Sequence, residues 1–262
     1  MYTHDSLLDQ LKELNIDPKG TLLIHSSLKS MGEIEGGADT VLDVLSDYMK
    51  EGLLVLPTHT WSYINAKNPN YYVEDSPSCI GILPELFRKR KGVVRSLHPT
   101  HSVAALGKGS KEFVKGNENF DTPCARNSPW GKLLDHKATI MLIGVDLRRN
   151  TFIHGVEEWA DIPGRFSKER EILYTVLPDS TKIKVPSYRH FGDSWSEYFW
   201  KVDDLFVEYG VMYKGKFGDA TVRICDTQGM TKILFQMLEI NPDLFSNNEP
   251  LDRQLYKDIR LD

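Results

Sequence analysis

The chain opens with apolar residues at helical spacing, Leu7, Leu8, Leu11 and Leu14, with Asp5 or Ser6 as N-cap. A turn at Pro18–Gly20 leads into the apolar run Thr21–His25, which predicts a buried strand. Three further strands are predicted: Leu53–Leu56, closed by Pro57; Ser102–Leu106, ended by Gly107 and Gly109; and Thr139–Val145. Between them Val41, Leu42, Leu45 and Met49 share one helical face, and Pro84–Arg90 reads as helix. Apolar strands alternating with helices argue an α/β core. Beyond Pro163 the pattern changes. Glu171–Val176 and Lys182–Pro186 predict a hairpin turning at Pro178–Ser180. A helix Ser194–Tyr209, a strand Ala220–Cys225 and a helix Thr227–Leu238 follow. The expected core is a mixed sheet, with antiparallel strands contributed by the C-terminal half. No linker or repeat breaks residues 1–262, so a single domain is expected.

Composition narrows the class. Among 262 residues, 32 Lys+Arg stand against 37 Asp+Glu, a net charge of −5, so no basic field invites nucleic acid. The run Arg88–Lys91 reads as a solvated helix end. The longest apolar runs, Gly52–Leu56 and Ile140–Val145, are too short to span a bilayer, and the first residues lack a signal-peptide pattern. Three widely spaced cysteines suggest no disulfide framework, which fits a reducing cytoplasm. A cytoplasmic globular enzyme without membrane or nucleic-acid partners is expected.

Familiar chemical motifs are missing from the sequence: no Gly-x-Ser-x-Gly elbow, no Walker loop, no Gly-x-Gly-x-x-Gly. His98 and His101, two residues apart across a proline and without nearby paired carboxylates, give no metal site. What remains are polar loops at strand ends, where open α/β sheets bind ligands. His25–Gly32 is either a phosphate cradle, with Lys29 adding charge, or a capped turn. Arg95–Ser102 packs imidazoles and hydroxyls together and is either a site lining or a surface loop. In Asn150–Glu158, His154 and Glu157 are an i, i+3 pair, on one face if the stretch is helical. That pair is either an ordinary ion pair or an oriented imidazole of the kind a general base requires.

These three segments, with Asn127–Leu134 between them, resemble the aminoglycoside 3-N-acetyltransferase family. The matching stretches are Leu22–Val41, Arg95–Gly107, Asn127–Leu134 and Ile140–Pro163, in family order, with a fainter match at Gly218–Asp226. The resemblance implies a three-layer α/β/α sandwich around the mixed sheet, and a coenzyme A-dependent N-acyltransferase that moves an acetyl or other short acyl group from acyl-CoA to an amino-sugar amine. It implies coenzyme A near His25, Ser26, Ser27, Leu28, Lys29, Ser30, Met31 and Gly32, with Ser102 added to that set. His154 is implied as base with Glu157 orienting it, and Thr151 or a backbone N–H near Ser27 as oxyanion donor. Thr58, His59, Trp61, His98, His101, Glu158, Arg189 and His190 are expected to line the acceptor side.

The acceptor stays open at this point. Arg189 and His190 lie in Ser187–Asp193, where several family members carry acids. The loop Thr58–Ser78 offers only Glu74 and Asp75. Both favour an amino sugar on a nucleotide diphosphate, as in surface-glycan synthesis, with Arg189 on a phosphate. The alternatives are an aminoglycoside, giving antibiotic resistance, a catalytically silent ligand-binding homologue, or a metal-dependent hydrolase. A homodimer is compatible with the sequence.

Overall fold

Strands covered on both faces have no solvent side to keep polar, so the unbroken apolar runs belong at the centre of a sheet. The computed structural model describes residues 1–191 and 195–261 and places them there. In chain order the elements are α1 (His4–Glu13), β1 (Thr21–Ser26), α2 (Gly37–Tyr48), β2 (Leu53–Pro57), β3 (Asn70–Tyr72), α3 (Ile82–Phe87), β4 (Val94–Arg95) and β5 (Val103–Gly107). There follow α4 (Ser110–Val114), α5 (Pro129–Asp135), β6 (Thr139–Ile143), α6 (Thr151–Trp159), β7 (Glu171–Val176) and β8 (Lys182–Ser187). The chain finishes with α7 (Asp203–Glu208), β9 (Met212–Phe217), β10 (Ala220–Asp226) and α8 (Thr227–Ile240).

The main sheet has seven strands in the order β4-β5-β2-β1-β6-β10-β9. β1 runs parallel to both neighbours, with Leu23 opposite Val55 on one side and Ile140 on the other. β10 is antiparallel to β6 and β9, so the C-terminal half supplies antiparallel strands as expected. The other edge is antiparallel too, through β5 against β2 and β4, a pairing the sequence did not signal.

Alternate residues of the central strands face opposite layers. Leu22, Ile24, Leu54 and Met141 meet α1, α2 and α3. Leu23, Val55, Ile140 and Leu142 meet α4 to α8. Each such side chain, when fully buried, contributes about 1.5–3 kcal/mol. This is the sandwich the family resemblance implies.

Two expectations shift. The hairpin β7–β8 forms, but it pairs with β3 in a separate three-stranded sheet. Its residues alternate between buried and accessible, so it has one face to cover and no place in a sheet covered twice. The helix predicted over Ser194–Tyr209 starts outside the described residues. Trp195–Val202 winds as a 3-10 helix, and α-helix begins only at Asp203, whose carboxylate holds Lys214 at 2.6 Å and Arg223 at 2.5 Å. Among the described residues no helix is long and apolar enough to cross a membrane.

Candidate active site

The carboxyl ends of β1, β2 and β6 lie side by side, and the loops leaving them enclose a cavity of about 600 Å³. The chain leaves β6 through Gly144, at φ +64°, where an added Cβ would sit 1.6 Å from Ser30 Oγ. The loop end of β1 and the approach to α6 are therefore packed directly together.

α6 starts at Asn150, whose Oδ1 accepts from the Phe152 N–H. Phe152, Ile153 and Val156 point into the core, which turns Thr151 and His154 toward the cavity. One helical turn on, Glu157 is 1% exposed, with Oε2 3.2 Å from His154 Nδ1. Its other oxygen accepts from Arg165 Nε at 2.8 Å. A carboxylate can only accept, so Nδ1 of His154 carries the hydrogen and Nε2 keeps its lone pair. Burial draws the His154 pKa below 6.5, His190 adds to this, and Glu157 opposes both. The ring is a neutral base at pH 7.

The adjacent acid serves a different ring. Glu158 Oε1 accepts from His190 Nε2 at 2.6 Å and from the Cys124 N–H at 2.8 Å, while its Oε2 is buried without a partner among the described residues. His190 stacks on His154 with ring centroids 4.5 Å apart. One ligating atom each of Cys124, Glu158 and His190 lies within 4.8 Å of the others, a set of donor types zinc uses. The 2.6 Å approach is hydrogen-bond geometry, and burial with Glu158 and Glu157 nearby pushes the Cys124 thiol up, which keeps it protonated.

Further imidazoles line the cavity or stand at its wall, and these are neutral. Burial lowers His25 to about 3 and holds His59 and His101 well below 6.5. Nε2 of both His25 and His59 is buried with no hydrogen-bond partner among the described residues. Buried polar atoms are normally satisfied, so a molecule in the cavity has two groups to meet. Trp61, 47% exposed, stands at the rim.

Not every residue expected in the site reaches it. His98 is wholly buried, with Nδ1 receiving the N–H groups of Thr100 and His101 and Nε2 facing Ser187 Oγ at 3.4 Å. Ser102 donates to the Thr58 carbonyl at 2.8 Å, and Arg95 donates to Thr58 as well. Thr58, His98 and Ser102 thus stand behind the wall and brace it. Glu158 reaches the site through His190 rather than by lining it.

The loop after β1 divides in the same way. His25 and Ser26 line the cavity. The Ser27 N–H is taken by the Ile143 carbonyl at 2.9 Å, so it is no free oxyanion donor. Leu28–Met31 forms a 3-10 turn: Met31 is core, Leu28 packs against core, Lys29 is exposed, and Ser30 Oγ donates back to Ser27 O. Ser30 also borders a shallower hollow with Asp146, Asp219 and Arg223, and Gly32 abuts Asp219. The turn is more a packed bend than an open cradle.

Arg189 lines the cavity, yet its guanidinium donates to the Ile64 carbonyl at 2.7 Å and pairs with Glu171 at 3.0 Å. The end of its segment, Gly192 and Asp193, lies outside the described residues. Arg148 and Arg149 line the cavity as well; Arg148 is bound to Asp146, and Arg149 is exposed with no side-chain partner among the described residues. Among the described lining residues there is no acid. Sequence reasoning missed these two arginines, Cys79 and Ile80 of the wall, and Arg165 behind Glu157. Only the doublet Arg148–Arg149, just past the clearest strand, offered a signal.

This architecture has close counterparts among known proteins. The family model described as aminoglycoside 3-N-acetyltransferase matches residues 23–239. The SPbeta prophage-derived aminoglycoside N(3')-acetyltransferase-like protein YokD of Bacillus subtilis (strain 168) is 31% identical, over 85% of this chain and 87% of its own. Aminoglycoside N(3)-acetyltransferase VII of Streptomyces paromomycinus is 28% identical over 74% of this chain and 72% of its own. Among solved structures, aminoglycoside acetyltransferase AAC(3)-IVa, a histidine-to-alanine mutant in complex with a gentamicin, shares the fold with a TM-score of 0.81. It is 23% identical, over 93% of this chain and 91% of that one. AAC-IIIb in binary complex with CoASH has a TM-score of 0.79 at 22% identity, over 91% of this chain and 96% of that one. With the family model spanning most of its length and a relative above 30% identity, the chain belongs to the aminoglycoside 3-N-acetyltransferase family of acyl-CoA-dependent N-acyltransferases.

Proposed function

We propose that this protein transfers an acetyl or other short acyl group from acyl-CoA to a primary amine of an amino sugar, directly and in a ternary complex. The observation carrying this is the buried chain Arg165–Glu157–His154, which ends in a neutral imidazole at the cavity. An amine is protonated at neutral pH and must lose its protons to become an amide. His154 Nε2 accepts one, and Glu157 holds the ring and stabilises the imidazolium. Acyl-CoA supplies the activated acyl group. Thr151, at the first turn of α6 on the cavity, is the side chain we assign to the developing oxyanion. The exposed guanidinium of Arg149 and the buried, unpartnered Nε2 of His25 suit the phosphates and amides of such a donor. We assign the reaction to the cytoplasm, where acyl-CoA is made.

Two acceptors compete. A cavity lined by arginines and no described acid favours a neutral or anionic amino sugar, such as one carried on a nucleotide diphosphate. Against a phosphate clamp through Arg189 stand its bonds to Glu171 and Ile64. The aminoglycoside reading draws support from the relatives' names and from the gentamicin in the related complex. Thiol release from acetyl-CoA, measured with kanamycin- and gentamicin-type acceptors against TDP- and UDP-linked amino sugars, decides between them. Turnover on one class alone selects it, and the absence of release with every amine refutes acyl transfer.

A further inference from the structure

One nucleophile on the cavity wall has no part in the acyl transfer described above. Cys79 lines the cavity with a free, partly exposed thiol, whereas Cys124 and Cys225 are wholly buried. Its backbone is fixed from two sides. The Cys79 N–H donates to the His59 carbonyl at 2.8 Å, and the preceding Ser78 N–H donates to Glu85 Oε2 at 2.7 Å. Glu85, on α3, is itself held by Arg88 Nε at 2.7 Å. A second feature of the same cavity points to a ligand beside this thiol. His25 and His59, 7% and 3% exposed, each line it with a buried Nε2 that has no partner among the described residues. Buried polar atoms are normally satisfied, so the wall that holds Cys79 also calls for a polar molecule.

We propose that Cys79 is a modification site for coenzyme A, forming a reversible mixed disulfide with the thiol that each acyl transfer releases into this cavity. The proposal rests on the acyl-transfer reading for its ligand. Every turnover leaves a free thiol in a space of about 600 Å³ that the Cys79 side chain also lines. Confinement on that scale gives one sulfur an effective concentration at the other on the order of molar. Two thiols join only with an oxidant, and the one assigned here is a peroxide. The Cys79 thiolate attacks a peroxide oxygen, the O–O bond breaks, and hydroxide departs to leave a sulfenic acid. The coenzyme A thiolate then attacks the Cys79 sulfur. The S–O bond breaks with its electron pair on oxygen, a second hydroxide departs, and the disulfide is formed. Two electrons have passed from the two sulfurs to the peroxide. Exchange with a small thiol returns Cys79 to its starting state. While coenzyme A is tethered there, no acyl-CoA can enter, so oxidation switches the transfer off.

The test reads mass first and turnover second, on the full chain at about pH 8, where thiols ionise. Wild-type protein is treated with hydrogen peroxide and coenzyme A, then digested without reductant. One coenzyme A per chain is expected on the peptide that holds Cys79, with Cys124 and Cys225 still free thiols. Turnover with acetyl-CoA and an accepted amine should fall in proportion to the fraction modified, and dithiothreitol should restore it. Under the same treatment Cys79→Ser should take up no coenzyme A and keep its own untreated rate. At equal concentrations coenzyme A should modify Cys79 about tenfold faster than free cysteine or glutathione does. An unmodified Cys79 in the wild-type protein overturns the proposal without any need for a variant to fold. So do equal rates with all three thiols, which mark an exposed sulfur with no bound partner. An adduct that leaves turnover unchanged overturns it as well. Failure of the acyl-transfer reading looks different: untreated wild-type protein would release no thiol with any amine, whether or not Cys79 takes the adduct.

Discussion

The two Glu–His pairs of the cavity are built from the same residue types within hydrogen-bonding reach, yet their surroundings make them opposites. In one, an arginine stands behind the carboxylate and the imidazole lines the cavity; in the other, the carboxylate is shared between an imidazole and a backbone N–H. What differs is the third member of each network, Arg165 for Glu157 and a backbone N–H for Glu158. A sequence shows the pairs, but the role of each depends on what stands behind the carboxylate.

The largest effect expected from breaking this contrast is on turnover. His154→Ala should reduce kcat by about 10²–10⁴-fold, roughly 2.7–5.5 kcal/mol of barrier, in a steady-state thiol-release assay. Near-normal turnover would remove His154 from the role of base. Arg165→Met makes the first pair resemble the second. It leaves Glu157 without its arginine, which should cost about 3–5 kcal/mol in chemical denaturation. The surviving carboxylate should then draw a proton onto His154, moving the acid limb of the rate profile to higher pH. In the wild type that limb should lie below 6.5, because burial depresses His154.

Acid should act next, through the neutral rings rather than the pairs. His25 and His98 take a proton near 6.5 when unfolded and only at about 3 when folded. Between those values the unfolded chain binds more protons, so stability should fall as pH drops from about 6.5 toward 3. Melting temperatures measured across that window check this; a flat profile would contradict burial of both rings as neutral species. The smallest effect is at the rim. Trp61→Ala should raise KM a fewfold with kcat held, since the exposed ring lines the mouth of the cavity.

Much of the frame was legible because its signal was local. Thr21–His25 and Thr139–Val145 are continuous apolar runs, and only strands covered on both faces read that way. His154 and Glu157 were readable as a pair because three residues make nearly one helical turn, once α6 was granted. The rest depended on distant contacts. His98 and His101 sit in one loop and look alike, yet the fold turns His101 to the cavity and His98 toward Ser187. Arg165 meets Glu157 across a loop with no periodic pattern. The β7–β8 hairpin is recognisable from its turn at Pro178–Ser180, but its partner β3 is three residues long, too short to announce itself. Ser27 was a reasonable donor until the ladder to Ile143 claimed its N–H.

His154 rises from a helix that follows the large sheet, whereas His190 comes in just past β8 of the small one, joined to Phe166 by a single antiparallel bridge. The stacked rings therefore meet only after two separately hydrogen-bonded sheets have docked. An intermediate with the large sheet formed and the small one still open would hold its base without the facing ring. During refolding, recovery of catalysis should lag recovery of far-ultraviolet circular dichroism, and enzymatic activity becomes a clock for the last assembly step.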